Sequence, residues 1–315
     1  MANVVIRLAN EADLPAVLEM SEGIYDGHDY FASEFRNYLN DPNRRILIAV
    51  MDDKAVGLQV MHVIDEGETA IAHSLRVNCK YRCQGIGKRL IQECRNYVKA
   101  NFPQVKFERY VTRSNARLAI QEKSDDVQFH EAAAFVCLVK GNTSELRSRL
   151  TSYSIDQTTN LKQLNKTDLE RILTQDTLRK ILLKGKYIGI REPFKALVSN
   201  ITIGLFKDGD TMLASYSGES VESLSHSRWY SVAKHPRLNS ICYTLDKELL
   251  KIHLVKQLQH AILQHPGETI IFASIIDKSL AECTTDILFK DLSLTTSSNQ
   301  LKAYHNLYFY EKSLV

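Results

Sequence analysis

The stretch best suited to chemistry places an arginine and two glycines between an apolar run and a helix. It reads Arg82-Cys83-Gln84-Gly85-Ile86-Gly87-Lys88. Apolar residues then recur at positions 86, 90, 94 and 98, the spacing of one helix face. The first amides of a helix have no intrahelical partner, and the helix dipole adds partial positive charge there. Because glycine lets the backbone approach a ligand closely, we predict a pyrophosphate cradle with Arg82 and Lys88 beside it.

Two better-known phosphate motifs do not fit this loop. A dinucleotide fingerprint needs a third glycine, and Leu90 occupies that position. The Gly-x-x-x-x-Gly-Lys-Ser/Thr pattern is not met either. A single Gly-x-Gly is also compatible with glycines that only ease packing, so the flanking elements decide between the two interpretations.

An acid-rich and aromatic segment, residues 22–31, is the second candidate for chemistry. It holds two glycines, two tyrosines and three acids between two predicted helices. A ligand amine is bound by carboxylates and an aromatic wall, so Tyr25, Asp29 and Tyr30 are predicted to bind an acceptor substrate. A turn with solvated charges is the alternative.

The elements around these segments follow one order. Val4–Leu8 is predicted as a strand, followed by helices from Leu14 and from Phe31. Strands are then expected at 45–51, 56–63 and 70–77, the loop helix at 86–98, a strand at 105–111, a helix from Asn115 and a strand at 135–139. This β-α-α-β-β-β-α-β-α-β order, with Arg-x-x-Gly-x-Gly after its fourth strand, resembles the GNAT acetyltransferase superfamily over about residues 4–140.

A closer resemblance is carried by Ser21–Tyr30, Asp41-Pro42-Asn43-Arg44, Asp65–Ala70 and Leu75-Arg76-Val77. Together these segments look like the vertebrate histidine N-acetyltransferase family. Members of that family pair an N-terminal GNAT domain with a C-terminal domain of similar length. The resemblance implies an α/β, mixed-sheet GNAT fold for residues 1–145 and a second domain at residues 146–315.

The superfamily resemblance also implies roles for single residues. The cofactor is acetyl-CoA, held by the loop residues Arg82, Cys83, Gln84, Gly85, Ile86, Gly87 and Lys88. The backbone amides of Leu75 and Val77 are expected to donate hydrogen bonds to the thioester oxygen. Asn115 is expected to form a hydrogen bond with the pantetheine arm.

The proton-transfer residues are less well marked. His73 lies on the same strand face as the family's usual base, with Glu22, Asp26 and Asp29 as alternatives, acting directly or through water. Many relatives carry a tyrosine that acts as general acid, seven residues beyond the asparagine that begins the helix at Asn115. This chain has Glu122 at that position. Tyr110 is the predicted replacement, with Tyr25, Tyr30 and unaided departure of the thiolate as alternatives. Cys83 is interpreted as a small loop residue, because direct transfer needs no covalent intermediate.

The second half echoes the first without its loop. We predict a Ser/Thr-rich linker over 143–159, a helix over 168–183, and a hairpin of 201–206 with 212–216. Strands at 240–245 and 269–276 flank a helix over 249–263. The sequence Asp246-Lys247-Glu248 enters that helix without glycine, so one cofactor site per chain is expected, in the first half. A degenerate GNAT-like domain and an unrelated α+β domain both remain open.

Composition narrows the function classes. The 315 residues carry a formal charge of +3, with 18 basic and 20 acidic residues in 1–145. No basic stripe of a nucleic-acid binder and no apolar run of membrane length is present in the sequence. The six scattered cysteines show no Cys-x-x-Cys, which argues against a zinc site and for a reducing, cytoplasmic compartment.

These observations predict an acetyl-CoA-dependent N-acetyltransferase without a metal, acting on a small-molecule amine. The family resemblance points to the α-amine of L-histidine. Another amino acid, a polyamine and a protein N-terminus are alternatives within the class. A non-catalytic acyl-CoA-binding protein is the alternative outside it. The sequence does not indicate an oligomeric state.

Overall fold

The computed structural model describes residues 4–27, 29–113, 127–153, 161–183, 185–189, 191–232, 234–296 and 304–315. Its strands are β1 (Val4–Leu8), β2 (Arg44–Met51), β3 (Lys54–Ile64), β4 (Thr69–Val77), β5 (Phe107–Arg113), β6 (Val127–Asn142), β7 (Lys162–Gln163), β8 (Tyr187–Ile188), β9 (Phe194–Lys195), β10 (Thr211–Ser217), β11 (Ser220–Tyr230), β12 (Arg237–Tyr243), β13 (Thr269–Ile276), β14 (Thr295–Thr296) and β15 (Tyr304–Ser313). The described α-helices are α1 (Leu14–Ser21), α2 (Phe31–Asn40), α3 (Ile86–Asn101), α4 (Thr143–Ser152), α5 (Lys166–Leu173), α6 (Asp176–Ile181), α7 (Lys247–Gln264) and α8 (Ala281–Thr285).

The first half is a sheet covered by helices on both faces. Strands β1 to β4 occur where they are predicted, and they pair antiparallel in sequence order. Helices α1 and α2 pack on one face, where Phe31 and Phe35 are fully buried. Helix α3 covers the other face with the predicted stripe of Ile86, Leu90 and Cys94. Burial of this stripe fixes where the helix begins, and therefore where its glycine loop lies.

Strands β4 and β5 are paired over a short distance only. Their parallel ladder joins Thr69, Ala70 and Ile71 to Phe107, Glu108 and Arg109. Beyond Ile71 the strand β4 continues against β3, with an irregular register near Val60. Ser74 has φ 56°, a left-handed conformation that suits such a bulge. The described ladder therefore leaves the second half of β4 facing a gap on its β5 side.

The last strand of the chain belongs to the middle of the sheet. Strand β15 pairs antiparallel with β5 from Leu307 to Ser313, and with β6 from Tyr304 to Lys312. Strand β6 in turn pairs with β13 over Phe135–Asn142. The two halves are thus joined through one continuous sheet, in the order β1-β2-β3-β4-β5-β15-β6-β13-β12-β11-β10-β7.

Three predictions for the second half are wrong. Residues 143–152 form α4 instead of a linker, because the Asn142 side chain accepts from the Ser144 amide at 2.9 Å and caps a helix. The helix predicted over 168–183 is two helices, α5 and α6. Ile201–Leu205 is a wide helical turn rather than a strand, with φ 130° at Gly204. Strand β10 forms its hairpin with β11 instead.

The remaining elements of the second half follow the predicted order. Strands β12 and β13 lie parallel, with α7 between them in sequence. Among the described residues, no helix has the length and apolar character needed to cross a membrane.

Candidate active site

The glycine loop starts helix α3 as predicted. Gly85 precedes the helix with φ 81°, and Cys83 has φ 63°. The first helical hydrogen bond runs from the Arg89 amide to the Gly85 carbonyl, so the amides of Ile86, Gly87 and Lys88 precede any intrahelical partner. Ile86 is buried, whereas Gln84 and Lys88 are exposed. The loop therefore presents unpaired amides and exposed charge at one place, which fits a pyrophosphate.

Strand β4 turns two amides toward its gap. The Asn78 amide donates to the Val56 carbonyl on β3 at 2.9 Å. Successive amides of a strand point to opposite sides, so those of Val77 and Leu75 face away from β3. Arg82 Nε donates to the Val77 carbonyl at 3.1 Å from that same side. The predicted oxyanion amides and the predicted cofactor loop thus share one side of β4.

His73 begins a chain of hydrogen bonds on this strand. Arg44 Nη1 lies 3.0 Å from His73 Nε2, and His73 Nδ1 lies 2.9 Å from Ser74 Oγ. A guanidinium only donates, so Nε2 accepts and neutral His73 carries its proton on Nδ1. Ser74 Oγ accepts this hydrogen bond, and it can donate its own proton to the Tyr30 hydroxyl, 3.3 Å away. The chain runs from Arg44 through His73 and Ser74 to Tyr30.

The protonation states agree with this direction. Burial, together with the charges of Arg44 and His62, lowers the pKa of His73 to about 3, so it is neutral at physiological pH. Burial raises the pKa of Tyr30 above its ordinary value of 10, which keeps the phenol protonated. As placed, His73 presents a donor to Ser74, and its lone pair is held by Arg44.

A carboxylate from the second half anchors this network. Glu192 accepts from Arg44 at 2.8 and 3.1 Å and lies 3.1 Å from His62 Nδ1. His62 Nε2 lies 3.2 Å from the Ile203 carbonyl, so both ring nitrogens face oxygen acceptors. Burial raises the pKa of Glu192, but Arg44 and His62 outweigh it and hold this pKa well below 4.5. The carboxylate is therefore a structural anion at neutral pH.

Aromatic rings from both halves line the same region. Tyr38 stands edge-on to His73 at 5.6 Å, and Arg44 lies over the Tyr38 ring at 4.3 Å. Tyr30 packs against Tyr230 of the second half at 5.3 Å. The Ser33 hydroxyl, one turn along α2, donates to the Ser231 carbonyl at 2.6 Å. Residues of the second half thus border the acceptor side of the candidate site.

Asp29, predicted to bind substrate, is already paired. It makes a two-pronged ion pair with Arg76, with Nε–Oδ2 at 2.9 Å, and both side chains are more than nine-tenths buried. Arg76 also lies 4.9 Å over the Phe31 ring. The carboxylate therefore holds the entry of α2 against β4, and Tyr30, next to it, is the member of the segment that reaches the hydrogen-bond chain.

The other predicted residues lie in different surroundings. Glu22 is exposed at the end of α1. Tyr110 stacks on Tyr310 at 4.9 Å, and burial raises its pKa to about 12. Asn115 and the Tyr25 side chain lie outside the described residues. The structure gathers His73, Ser74, Tyr30 and the loop, and does not bring Glu22 to them.

The corresponding place in the second half is filled. Asp246 Oδ1 accepts from the amides of Glu248 and Leu249 at 2.8 and 2.9 Å, so a carboxylate occupies the start of α7. Strands β12 and β13 pair over five residues instead of three. Buried His253 of α7 lies 2.7 Å from Ser223 and 2.8 Å from Ser225 on β11. These contacts leave neither a cradle nor a gap there.

Sequence reasoning missed Arg191 and Glu192 of the second half. The available signal was a pair of opposite charges between Gly189 and Pro193, inside an apolar stretch. Arg191 has φ 65°, and a Cβ at Gly189 would lie 2.6 Å from the Glu192 carbonyl. Only the folded chain shows that this turn reaches β2, β3 and β4.

Comparisons with known proteins divide the chain in a similar way. Residues 14–119 match the acetyltransferase (GNAT) family, and residues 157–276 match the histidine N-acetyltransferase C-terminal family. The histidine N-acetyltransferase of Oreochromis niloticus is 28% identical over 239 residues, which cover 71% of this chain and 68% of that protein. That of Scomber australasicus is 29% identical over 237 residues, with the same coverage of both chains.

A solved structure shares the whole fold. A tandem GNAT protein from the clavulanic acid biosynthesis pathway superposes with a TM-score of 0.58 at 9% identity, covering 99% of both chains. This likeness confirms the GNAT fold predicted for the first half, and it favours a GNAT-like second half over an unrelated α+β domain.

Proposed function

Because this chain belongs to the GNAT acetyltransferases and carries the C-terminal domain of the histidine N-acetyltransferases, we propose that it acetylates the α-amine of free L-histidine with acetyl-CoA. One observation carries the proposal. The glycine loop, the gap beside β4 and the polar region around Tyr30 meet at Ser74 and Leu75. A thioester and an amine can be brought together there.

The loop residues suit the donor. The amides of Ile86, Gly87 and Lys88 would bind the pyrophosphate of acetyl-CoA, and open space around Gly85 leaves the loop accessible. Leu75 and Val77 would offer their amides to the acyl arm. Acetyl-CoA supplies an activated acyl group when it is bound. A reducing, cytoplasmic location is part of the proposal and agrees with six free cysteines.

The reaction requires one bond to form and one to break. The neutral amine attacks the thioester carbon, the carbonyl oxygen gains negative charge, and the C–S bond then breaks to release a thiolate. The Leu75 amide would stabilise the oxyanion. Tyr30, at the donating end of the chain from Arg44, would protonate the thiolate. The amine loses its proton to a base. The predicted base, His73, would first have to release its Nε2 lone pair from Arg44, because its Nδ1 already carries a proton.

Thiol release from acetyl-CoA tests the proposal. The purified chain is mixed with L-histidine, other amino acids, a polyamine or a peptide N-terminus. We expect turnover with L-histidine and a product acetylated on the α-nitrogen, identified by mass spectrometry and NMR. Turnover confined to lysine-bearing peptides would contradict the proposed substrate. Acetyl-CoA binding without any turnover would indicate a non-catalytic protein.

A further inference from the structure

Arg191 occupies an unusual position on the turn that enters the site. Its neighbour Glu192 is fixed by the ion pair with Arg44, which is 1% exposed, so the turn is firmly placed. The Arg191 backbone has φ 65°, a left-handed conformation that is strained in a residue other than glycine. Such strain persists where the surrounding structure imposes it, often at ligand sites.

The Arg191 side chain is partly buried and lacks an anion. Its Nε atom is buried without a hydrogen-bond partner, and among the described residues its guanidinium forms no ion pair. The arginines around it differ. Arg44 is paired with Asp41 and Glu192, and Arg228 is paired with Asp210. A buried cation without a partner is costly, and a bound anion would offset that cost.

Arg191 lies on the side of the candidate site where the acceptor amine is expected to bind. Its neighbour Glu192 has a carboxylate oxygen 3.5 Å from His73 Nε2. Burial raises the pKa of Tyr30 and Tyr230, whose rings meet at 5.3 Å, and the charge of Arg191 opposes that rise. Tyr30 contacts Ser74, one residue before the Leu75 amide. An acceptor whose amine lies near Ser74 would have its substituents within this region.

We propose that Arg191 binds the α-carboxylate of the acceptor and thereby selects free amino acids over amines that lack this group. The inference rests on the proposed function. The carboxylate and the amine of an amino acid share one carbon atom, so fixing the carboxylate also orients the amine. A guanidinium can hold a carboxylate by two parallel hydrogen bonds, which a lysine cannot reproduce.

The test compares two acceptors that differ in the carboxylate alone, L-histidine and histamine. We expect the unaltered protein to prefer L-histidine. In Arg191→Gln, kcat/KM for L-histidine should fall about 100-fold, the effect of losing charge-assisted hydrogen bonds, while that for histamine stays within about threefold. Arg191→Lys should recover part of the preference, because it keeps the charge.

Arg179→Gln is the matched control. It removes one positive charge from a side chain of the same half that is 70% exposed. Its preference for L-histidine should equal that of the unaltered protein, and thermal unfolding should show that all variants are folded. An equal loss for both acceptors in Arg191→Gln, or an unchanged preference, would overturn the proposal.

Binding separates this inference from the proposed function. The affinities of L-histidine and histamine are measured by calorimetry in the presence of CoA. If L-histidine binds in an Arg191-dependent manner but is not acetylated, the proposed activity fails and the carboxylate site stands. If L-histidine is acetylated and its binding does not depend on Arg191, the activity stands and the carboxylate site fails. If it neither binds nor reacts, both are refuted.

Discussion

A methyl group at Gly87 should separate cofactor binding from folding. Gly87 is the second residue of α3, and a Cβ there would lie 3.8 Å from side-chain atoms of Leu75 and Val77, an ordinary contact. Alanine is favoured over glycine inside a helix by about 1 kcal/mol. Gly87→Ala should therefore keep or raise the free energy of unfolding, with Tm higher by roughly 2 °C or less.

The same methyl group points into the predicted path of the cofactor, because it faces the strand residues beside the gap. Loss of one charge-assisted hydrogen bond from an amide to a phosphate costs about 1.5–3 kcal/mol, which is roughly 10- to 100-fold in Kd. We expect Gly87→Ala to weaken acetyl-CoA binding by this factor. Gly87→Glu, which adds bulk and a negative charge, should abolish binding.

Gly85→Ala is the comparison variant in which backbone strain is the main expected effect. Nothing lies within 4 Å of a Cβ at Gly85, but its φ of 81° strains any other residue. The free energy of unfolding should fall by roughly 1–2 kcal/mol. The added methyl group would contact no other part of the described protein. Calorimetric titration with acetyl-CoA and thermal unfolding measure the two effects. Folded Gly87→Glu with unaltered acetyl-CoA affinity would refute the loop assignment.

Three further outcomes are expected. Tyr30→Phe should lower kcat by about 10²-fold with little change in acetyl-CoA affinity, because it removes the terminal donor of the chain; steady-state kinetics measure this, and an unchanged kcat would exclude Tyr30 as the acid. Arg76→Leu should lower the free energy of unfolding by about 3–5 kcal/mol, because it leaves Asp29 buried and unpaired. The double variant Arg76→Leu with Asp29→Leu should recover much of this loss in urea denaturation. If the single and double variants lose equal stability, that result contradicts the pairing argument. Burial lowers the pKa of His253 to about 3 from 6.5, so the unfolded chain takes up the proton first and stability is lost as pH falls from 6.5 toward 3. Between pH 7.5 and 5.5 this histidine should lower the free energy of unfolding by about 1.4 kcal/mol. In His253→Gln that part of the pH dependence should disappear, while the part that comes from His73 remains.

Local patterns were sufficient for the parts of the site that lie on one segment. The helical stripe after Gly87 and the strand that ends at Val77 are set by short-range periodicity, and burial on α3 confirms it. His73 could be assigned to a face of β4 by alternation. Its hydrogen bond to Arg44, and therefore its proton on Nδ1, depends on a neighbouring strand and could not be read from spacing.

Long-range pairing explains most of what the sequence did not predict. Glu192 is part of the site because it contacts Arg44 and His62, which are about 130 residues or more away along the chain. Asp29 looked like a ligand because its partner Arg76 is also distant in sequence. Gly204 illustrates a local failure, since an apolar run with strand propensity is bent by one positive φ.

The position of β15 sets the order in which the protein can be completed during synthesis. The ribosome produces β5 and β6 early, but the strand that separates them in the sheet is produced after the entire second half. Until then the edges of β5 and β6 expose unpaired backbone groups to solvent or to other chains. The acetyltransferase half therefore reaches its final sheet after synthesis of the other half, and its activity should emerge with the full chain.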